Sequence, residues 1–159
     1  MESLFLSIKS IKGNSIIAGY ADKIIVESFS HGVSLPLYAD AGNSDRTIGR
    51  PTFSEMSFSK TTDVSTPALL AACASGTNLG DVVLDMGRTD KGKYMSLIKY
   101  TMANAMISSI RTAGHPGGGS DTFSLNFTKL TCVFTQQKPD GTPKGNAQFG
   151  WDLTKSVAA

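Results

Sequence analysis

Apolar and polar residues alternate with a period of two along most of this chain, the pattern of half-buried β-strands. Leu4, Leu6 and Ile8 share one face of a first strand, with Phe5 and Ser7 on the other; Ile11 ends it and Lys12-Gly13-Asn14-Ser15 turns the chain. Lys23 to Val33 reads as one strand whose later half, ESFSHGV, sets Phe29 and His31 against Ser28 and Ser30. Phe53, Met56 and Phe58 mark another, and Asp81 to Met86 a further one. Asp90-Lys91-Gly92-Lys93 is a hairpin turn leading into strands over Tyr94–Tyr100 and Ala105–Ile110. The alternative there is helix, because MANAMISSI contains good helix formers; strand is the reading adopted. Thr112 to Asp121 reads as a flexible loop, and Phe123 to Thr135 as the longest strand. Its parity slips near Thr128 and Lys129, which predicts a β-bulge or sharp bend. Pro139-Asp140-Gly141-Thr142-Pro143 is a turn, Ala147 to Leu153 the last strand, and Lys155 to Ala159 a loose tail.

One segment breaks this period. Thr66 offers an N-cap hydroxyl, Pro67 suits the first helical position, and Gly76 suits the stop, with Leu69 to Ala74 between them. A helix of about two and a half turns is unstable alone in water, so it must pack on a sheet. Leu35 to Arg50 is different again: Pro36, Gly42, Asn43, Asp45 and Gly49 make it an extended loop or projecting hairpin. Leu35, Leu37, Tyr38 and Ile48 give it apolar content that favours contact with a partner. The fold class expected is mainly β: an antiparallel β-barrel of two sheets, one short flanking helix over about 67–75, and the excursion over about 35–50.

Composition narrows the function more than the fold. The 159 residues make a single domain over 1–159, 40% hydrophobic and 18% charged, which argues against disorder and leaves surface to bury against another protein. The net charge is +2 with no basic run longer than a pair, so no nucleic-acid footprint is present. No 18-residue apolar stretch suggests a membrane span, and MESLFLSIKSIKG lacks the build of a secretory signal.

Candidate chemistry is sparse. His31 reads as packed in the core and His115 as solvated in its glycine-rich loop; no partner sits at metal-ligand spacing to either. Gly117-Gly118-Gly119 lacks the context of a phosphate cradle. Asp81, Asp85 and Asp90 read as solvated edge positions, and Cys73 and Cys132 as buried free thiols, a bridge between them remaining open. Trp151 reads as core, so its truncation to alanine should cost about 3–5 kcal/mol. Nothing assembles a nucleophile, base and orienting group, so neither an enzyme nor a cofactor is expected.

Several segments in this order nevertheless carry a specific resemblance: LFLSIKSIKGNS, SFSHGVS, FSEMSFSKTTDVSTPALLAACASG, TAGHPGGGSDTFSLNFTKL and FTQQKPDGTPKGNAQFGWDL. Together they resemble the haemolysin-coregulated proteins (Hcp), which build the inner tube of bacterial type VI secretion systems. The chain departs at Phe29 and His31, where the family often carries Trp. The resemblance implies a homohexameric ring that stacks into a hollow tube and holds effectors in its lumen, with spike and sheath proteins as further partners. It also implies synthesis in the bacterial cytoplasm and secretion without a signal peptide.

Within that picture Ser28 and Ser30 are expected to line the lumen, a small hydroxylated wall for varied cargo. Leu37, Tyr38, Asp40, Asn43, Asp45 and Arg46 are expected to form an arm that contacts the next ring. The competing reading is a monomeric ligand-binding barrel, with Trp151 and Tyr94 near a sugar or lipid site. An enzyme using His31 or Cys73 is the third.

Overall fold

A computed structural model describes residues 2–39, 42 and 46–159, with the backbone alone for Arg46 and Thr47. The strands are β1 (Glu2–Ile8), β2 (Ile24–Val26), β3 (Ser28–Ser30), β4 (Val33–Ser34), β5 (Leu37–Ala39), β6 (Arg46–Ile48), β7 (Thr52–Phe53) and β8 (Met56–Thr61). After helix α1 (Thr66–Ser75) come β9 (Val82–Asp90), β10 (Lys93–Ala103), β11 (Met106–His115), β12 (Gly118–Asn126), β13 (Lys129–Gln137), β14 (Pro143–Asp152) and β15 (Val157–Ala158). A seven-stranded sheet runs in the order β15-β14-β13-β10-β9-β1-β2, and a four-stranded sheet in the order β11-β12-β8-β3. β4 with β7 and β5 with β6 make two small ribbons. Every strand pair is antiparallel.

The two large sheets enclose one core. Leu6, Ile24, Leu84, Met102 and Leu130 come from the larger sheet, Met56, Phe58, Phe123 and Leu125 from the smaller. The Phe58 and Phe123 rings stack at 5.1 Å. Along one side the sheets are joined: Glu27 N donates to Ser59 O at 2.8 Å. The barrel is open rather than closed.

Several expected elements are rearranged. Lys23–Val33 is not one strand: β2 belongs to the large sheet and β3 to the small one, with the change of sheet at Glu27. The Phe123–Thr135 run likewise divides, because the chain crosses between sheets at Phe127-Thr128; the parity slip marks that bend, not a bulge. Thr112–Asp121 is not a loop but the paired ends of β11 and β12, closed by a Pro116-Gly117 turn in which Gly117 has φ +100°. The tail is not loose: β15 pairs with Trp151 and Asp152, and Ala159 N donates to Gly150 O at 3.0 Å.

Helix α1 starts one residue earlier than its capping signals suggest. Ser65 is the N-cap, without a side-chain cap bond, and Thr66 turns its hydroxyl elsewhere. The stop is as expected: Gly76 has φ +62°, with Gly76 N bonded to Cys73 O and Thr77 N to Ala72 O, the Schellman arrangement. Leu69 and Ala72 bury their side chains on the flank of β11.

Candidate functional site: a hydroxyl face

The outer face of the four-stranded sheet follows from three short, similar sequences. Ser28-Phe29-Ser30, Ser57-Phe58-Ser59 and Thr122-Phe123-Ser124 each send the aromatic ring inward and the hydroxyls outward. Register then aligns them in rows. Ser30 faces Ser57, which faces Ser124, which faces Ser109; Ser28 faces Ser59, which faces Thr122, which faces Arg111. Directly beneath, Phe29, Phe58, Phe123 and Ile110 form the matching inward row.

The hydroxyls bond mainly to one another. Ser28 Oγ lies 2.5 Å from Ser59 Oγ, and Ser57 Oγ 3.3 Å from Ser124 Oγ. Thr61 Oγ1 donates to Glu27 Oε1 at 2.5 Å, and Ser108 donates to Glu55 and to Ser124 O. Ser28 and Ser30 are exposed, and Ser57, Ser59, Thr122 and Ser124 complete the face. The sequence signal for those four is the repeated aromatic flanked by hydroxyls, a pattern that carries no catalytic group.

The excursion is a projecting hairpin. β5 pairs with β6 through Leu37–Ile48, Tyr38–Thr47 and Ala39–Arg46, and Leu37 and Tyr38 are 52% and 63% exposed. Asp40, Asn43 and Asp45 lie outside the described residues, as does the side chain of Arg46. At the hairpin's root, Val33, Leu35, Ile48, Phe53, Phe149 and Trp151 line an apolar groove of about 420 Å³. Trp151 is therefore half-buried at a groove, not a core residue.

Behind Phe53, His31 sits among Phe53, Tyr100 and Phe127 at centroid distances of 6.1–6.3 Å. Its Nε2 is buried without a partner, and burial lowers its pKa. His115 is exposed. Cys73 and Cys132 are free, and half-buried rather than fully buried.

Two charged centres lie inside the protein. Lys60, with no exposed side-chain surface, donates to Asp121 at 2.8 Å, Asp63 at 2.9 Å, Thr66 at 3.2 Å and the Thr61 carbonyl at 3.3 Å. Asp85, expected at a solvated edge, is instead buried between Tyr94 (3.2 Å) and Tyr20 (3.3 Å), with Lys99 at 3.8 Å. Asp81 and Asp90 are exposed at opposite ends of β9's run, so the three aspartates form no acid–base set. Among the described residues no three His, Cys, Asp or Glu side chains converge as metal ligands.

The shared ligand site of Trp151 and Tyr94 is also ruled out. Trp151 faces Leu130, which faces Met102, and Tyr94 lies eight residues along β10 from Met102, about 26 Å at strand rise.

By fold and surface this is a mainly β, open-barrel protein whose ordered surface is a hydroxyl wall flanked by a projecting hairpin. The family model for the type VI secretion system effector Hcp matches residues 5–134, and the chain belongs to that family. It is 29% identical to Protein hcp1 of Pseudomonas aeruginosa over 161 residues, covering 98% of each chain. It is 28% identical to the Major exported protein of the same organism, over 92% of this chain and 84% of that one. In fold it is similar to a solved type six secretion system protein over the whole of both chains, with a TM-score of 0.91 at 18% identity. Hcp1 from Salmonella typhimurium is similar over 99% of each chain, with a TM-score of 0.80 at 20% identity.

Proposed function

We propose that this chain is a tube subunit and cargo carrier: six copies close into a ring, rings stack, and the hydroxyl face lines the lumen. The hydroxyl face is the observation that carries this reading. A solvated sheet face in a monomer has no need for three hydroxyl–aromatic–hydroxyl strands in register, whereas a channel wall gains from small uncharged groups. The edges support it too. The four-stranded sheet ends in β3 on one side and β11 on the other. Its strands alternate in direction, so β3 of one copy runs antiparallel to β11 of a neighbour, and head-to-tail joining covers both edges. Six such sheets make a 24-stranded barrel. At ordinary strand spacing and tilt it is roughly 45–50 Å across at the backbone, wider than a small folded domain of about 30 Å.

The partners under this reading are further copies of the chain, effectors in the lumen, and the spike and sheath of the secretion machine. The protein is made in the cytoplasm and exported through that machine. Light scattering tests the ring: a particle of roughly 100 kDa is expected from six chains of 16.8 kDa. A protein that stays monomeric from micromolar to millimolar concentration would overturn it.

A further inference from the structure

The large sheet is split at one end. β10 pairs with β13 only from Ile98–Phe134 to Ala103–Lys129. Beyond Ile98, β10 runs on with β9 alone as far as Lys93–Asp90, past an irregularity at Ser96. β13 runs on with β14 alone as far as Gln137–Pro143. Over Lys93–Leu97 and Thr135–Gln137, each strand therefore has one edge to which no other strand pairs among the described residues. Arg88 donates to Gln137 across the split and ties the two ends together. An unpaired strand edge is a template for a further strand. Such edges ordinarily lie at the rim of a sheet, whereas these two flank one gap within it.

The gap opens as a cleft of about 600 Å³ lined by Lys91, Lys93, Tyr94, Met95, Thr142 and Pro143, among others. Tyr94, Met95 and Pro143 make the lining apolar, and the rim is basic. Segments 88–93 and 138–144 carry Arg88 and four lysines against Asp90 and Asp140, a larger positive excess than the +2 of the whole chain. Lys91, Lys93, Lys138 and Lys144 are all exposed, and none forms an ion pair among the described residues. Asp140 is already engaged by the Thr142 amide and hydroxyl at 3.0 and 2.7 Å.

We propose that this slot takes an extended acidic segment of another protein as an added strand on the free edges of β10 and β13. The segment's backbone bonds to those edges, its apolar side chains lie against Tyr94, Met95 and Pro143, and its carboxylates meet the lysine rim. Side chains of a strand alternate between faces, so the segment that fits alternates acidic and apolar residues. Main-chain pairing supplies affinity, while the lysines select the sign of the charge and make the contact weaken as salt rises. The inference goes beyond the tube reading and does not depend on it, because the whole slot lies within one copy.

Fluorescence anisotropy with the full chain tests it. The probe is a short fluorescein-labelled peptide of alternating glutamate and valine around a central tyrosine. Saturable binding is expected at low salt, with none by a peptide in which lysine replaces each glutamate. On binding, hydrogen exchange should slow at those amides of Tyr94–Leu97 and Thr135–Gln137 that do not bond β9 or β14. Lys91→Glu with Lys93→Glu should weaken binding at least about tenfold, and so should Lys138→Glu with Lys144→Glu, all four positions being exposed. The same peptide with its amides N-methylated keeps its charge but cannot pair as a strand, and it should also lose at least about tenfold. Equal binding by the N-methylated peptide, or binding indifferent to both charge reversals, overturns the added strand or the basic rim respectively. Amides already protected before peptide is added overturn the open slot and make a second copy its occupant. Binding to vesicles containing phosphatidylglycerol but not to the peptide overturns the proposal and assigns the lysines to a membrane surface.

Discussion

Lys60 Nζ lies 2.8 Å from Asp121 Oδ2, and neither side chain has any exposed surface. The pair ties β8 to β12, and through Thr66 and Asp63 it also holds the start of α1. One cation faces two carboxylates, and the positive end of the helix offsets part of the remaining negative charge. Removing one member leaves the others buried and uncompensated. Lys60→Met should therefore destabilise the fold by about 3–5 kcal/mol in urea unfolding at fixed protein concentration. Adding Asp121→Asn should recover part of that loss, giving a coupling of at least about 1 kcal/mol. Additive losses would mean that the pair is not a unit.

The same carboxylate sets an acid limit. Burial alone would raise the Asp121 pKa, but hydrogen bonds from Lys60, Thr66 and Thr62 outweigh it and hold the group below its ordinary 3.8. A depressed carboxylate contributes stability that is complete above the unfolded value and lost as pH falls through the folded one. Melting temperature should then drop below pH 3.8, and Asp121→Asn should flatten that limb. A variant as acid-sensitive as the parent would place the acid limit elsewhere.

At the alkaline end the sign reverses. Tyr20 stacks on Phe5 at 5.1 Å and, with Tyr94, brackets Asp85, pinning the segment between β1 and β2 onto the sheet. Burial first, then the charge and hydrogen bonds of Asp85, push Tyr20 up to about 12 and Tyr94 further. Raised folded values give stability that is complete below pH 10 and lost as pH rises through about 12. Tyrosinate absorbance should therefore lag behind that of free tyrosine. Tyr20→Phe should speed hydrogen exchange at the Gly13 and Ser15 amides, which bond Asp22 O and Lys23 O.

Gly87 carries a purely steric prediction. A Cβ there would collide with the Met95 carbonyl and reach 2.6–2.7 Å from the Tyr94 ring and hydroxyl. The Met95 carbonyl is backbone of the neighbouring strand and cannot swing aside. Gly87→Ala should force β9 and β10 apart at Ser96–Gly87 and cost at least about 2–3 kcal/mol, read as a lowered melting temperature. An unchanged melting temperature would show that the strands slide past one another there.

What the sequence made legible and what it concealed divide along local and non-local physics. The α1 stop at Gly76, the Lys91-Gly92 turn and the Phe29–Ser30 parity depend on neighbours in the chain, and all appear as read. The change of sheet at Glu27 does not, because a continuous alternating pattern looks the same whether the partner strand stays or changes, whereas at Phe127-Thr128 the slip in parity shows the bend but not the change of partner sheet. Asp85 and Lys60 were opaque for a related reason: a charged residue on a strand is ordinarily solvated, and only partners 61 residues away, or tyrosines from two other segments, make burial tolerable. Within the hydroxyl face, Ser28 and Ser30 are readable from local alternation; the rest needs the register of β8 and β12.

Ser30 offers the sharpest test of the lumen. It stands exposed at the end of the row Ser30–Ser57–Ser124–Ser109, with its inward neighbour Phe29 packed edge-on to Tyr100 at 5.5 Å. Tyrosine at this position suits a strand and leaves that packing untouched, so the fold and ring mass should be unchanged. In a hexamer it adds six phenol rings to one level of the channel. Ser30→Tyr should cut retention of a co-expressed small effector of the same secretion system at least about tenfold, because the wall loses both clearance and a matching hydroxyl surface. Thr154→Tyr, also exposed but on the turn that follows β14, should retain the effector normally. Full retention by Ser30→Tyr in an intact ring would put the cargo surface somewhere other than the hydroxyl face.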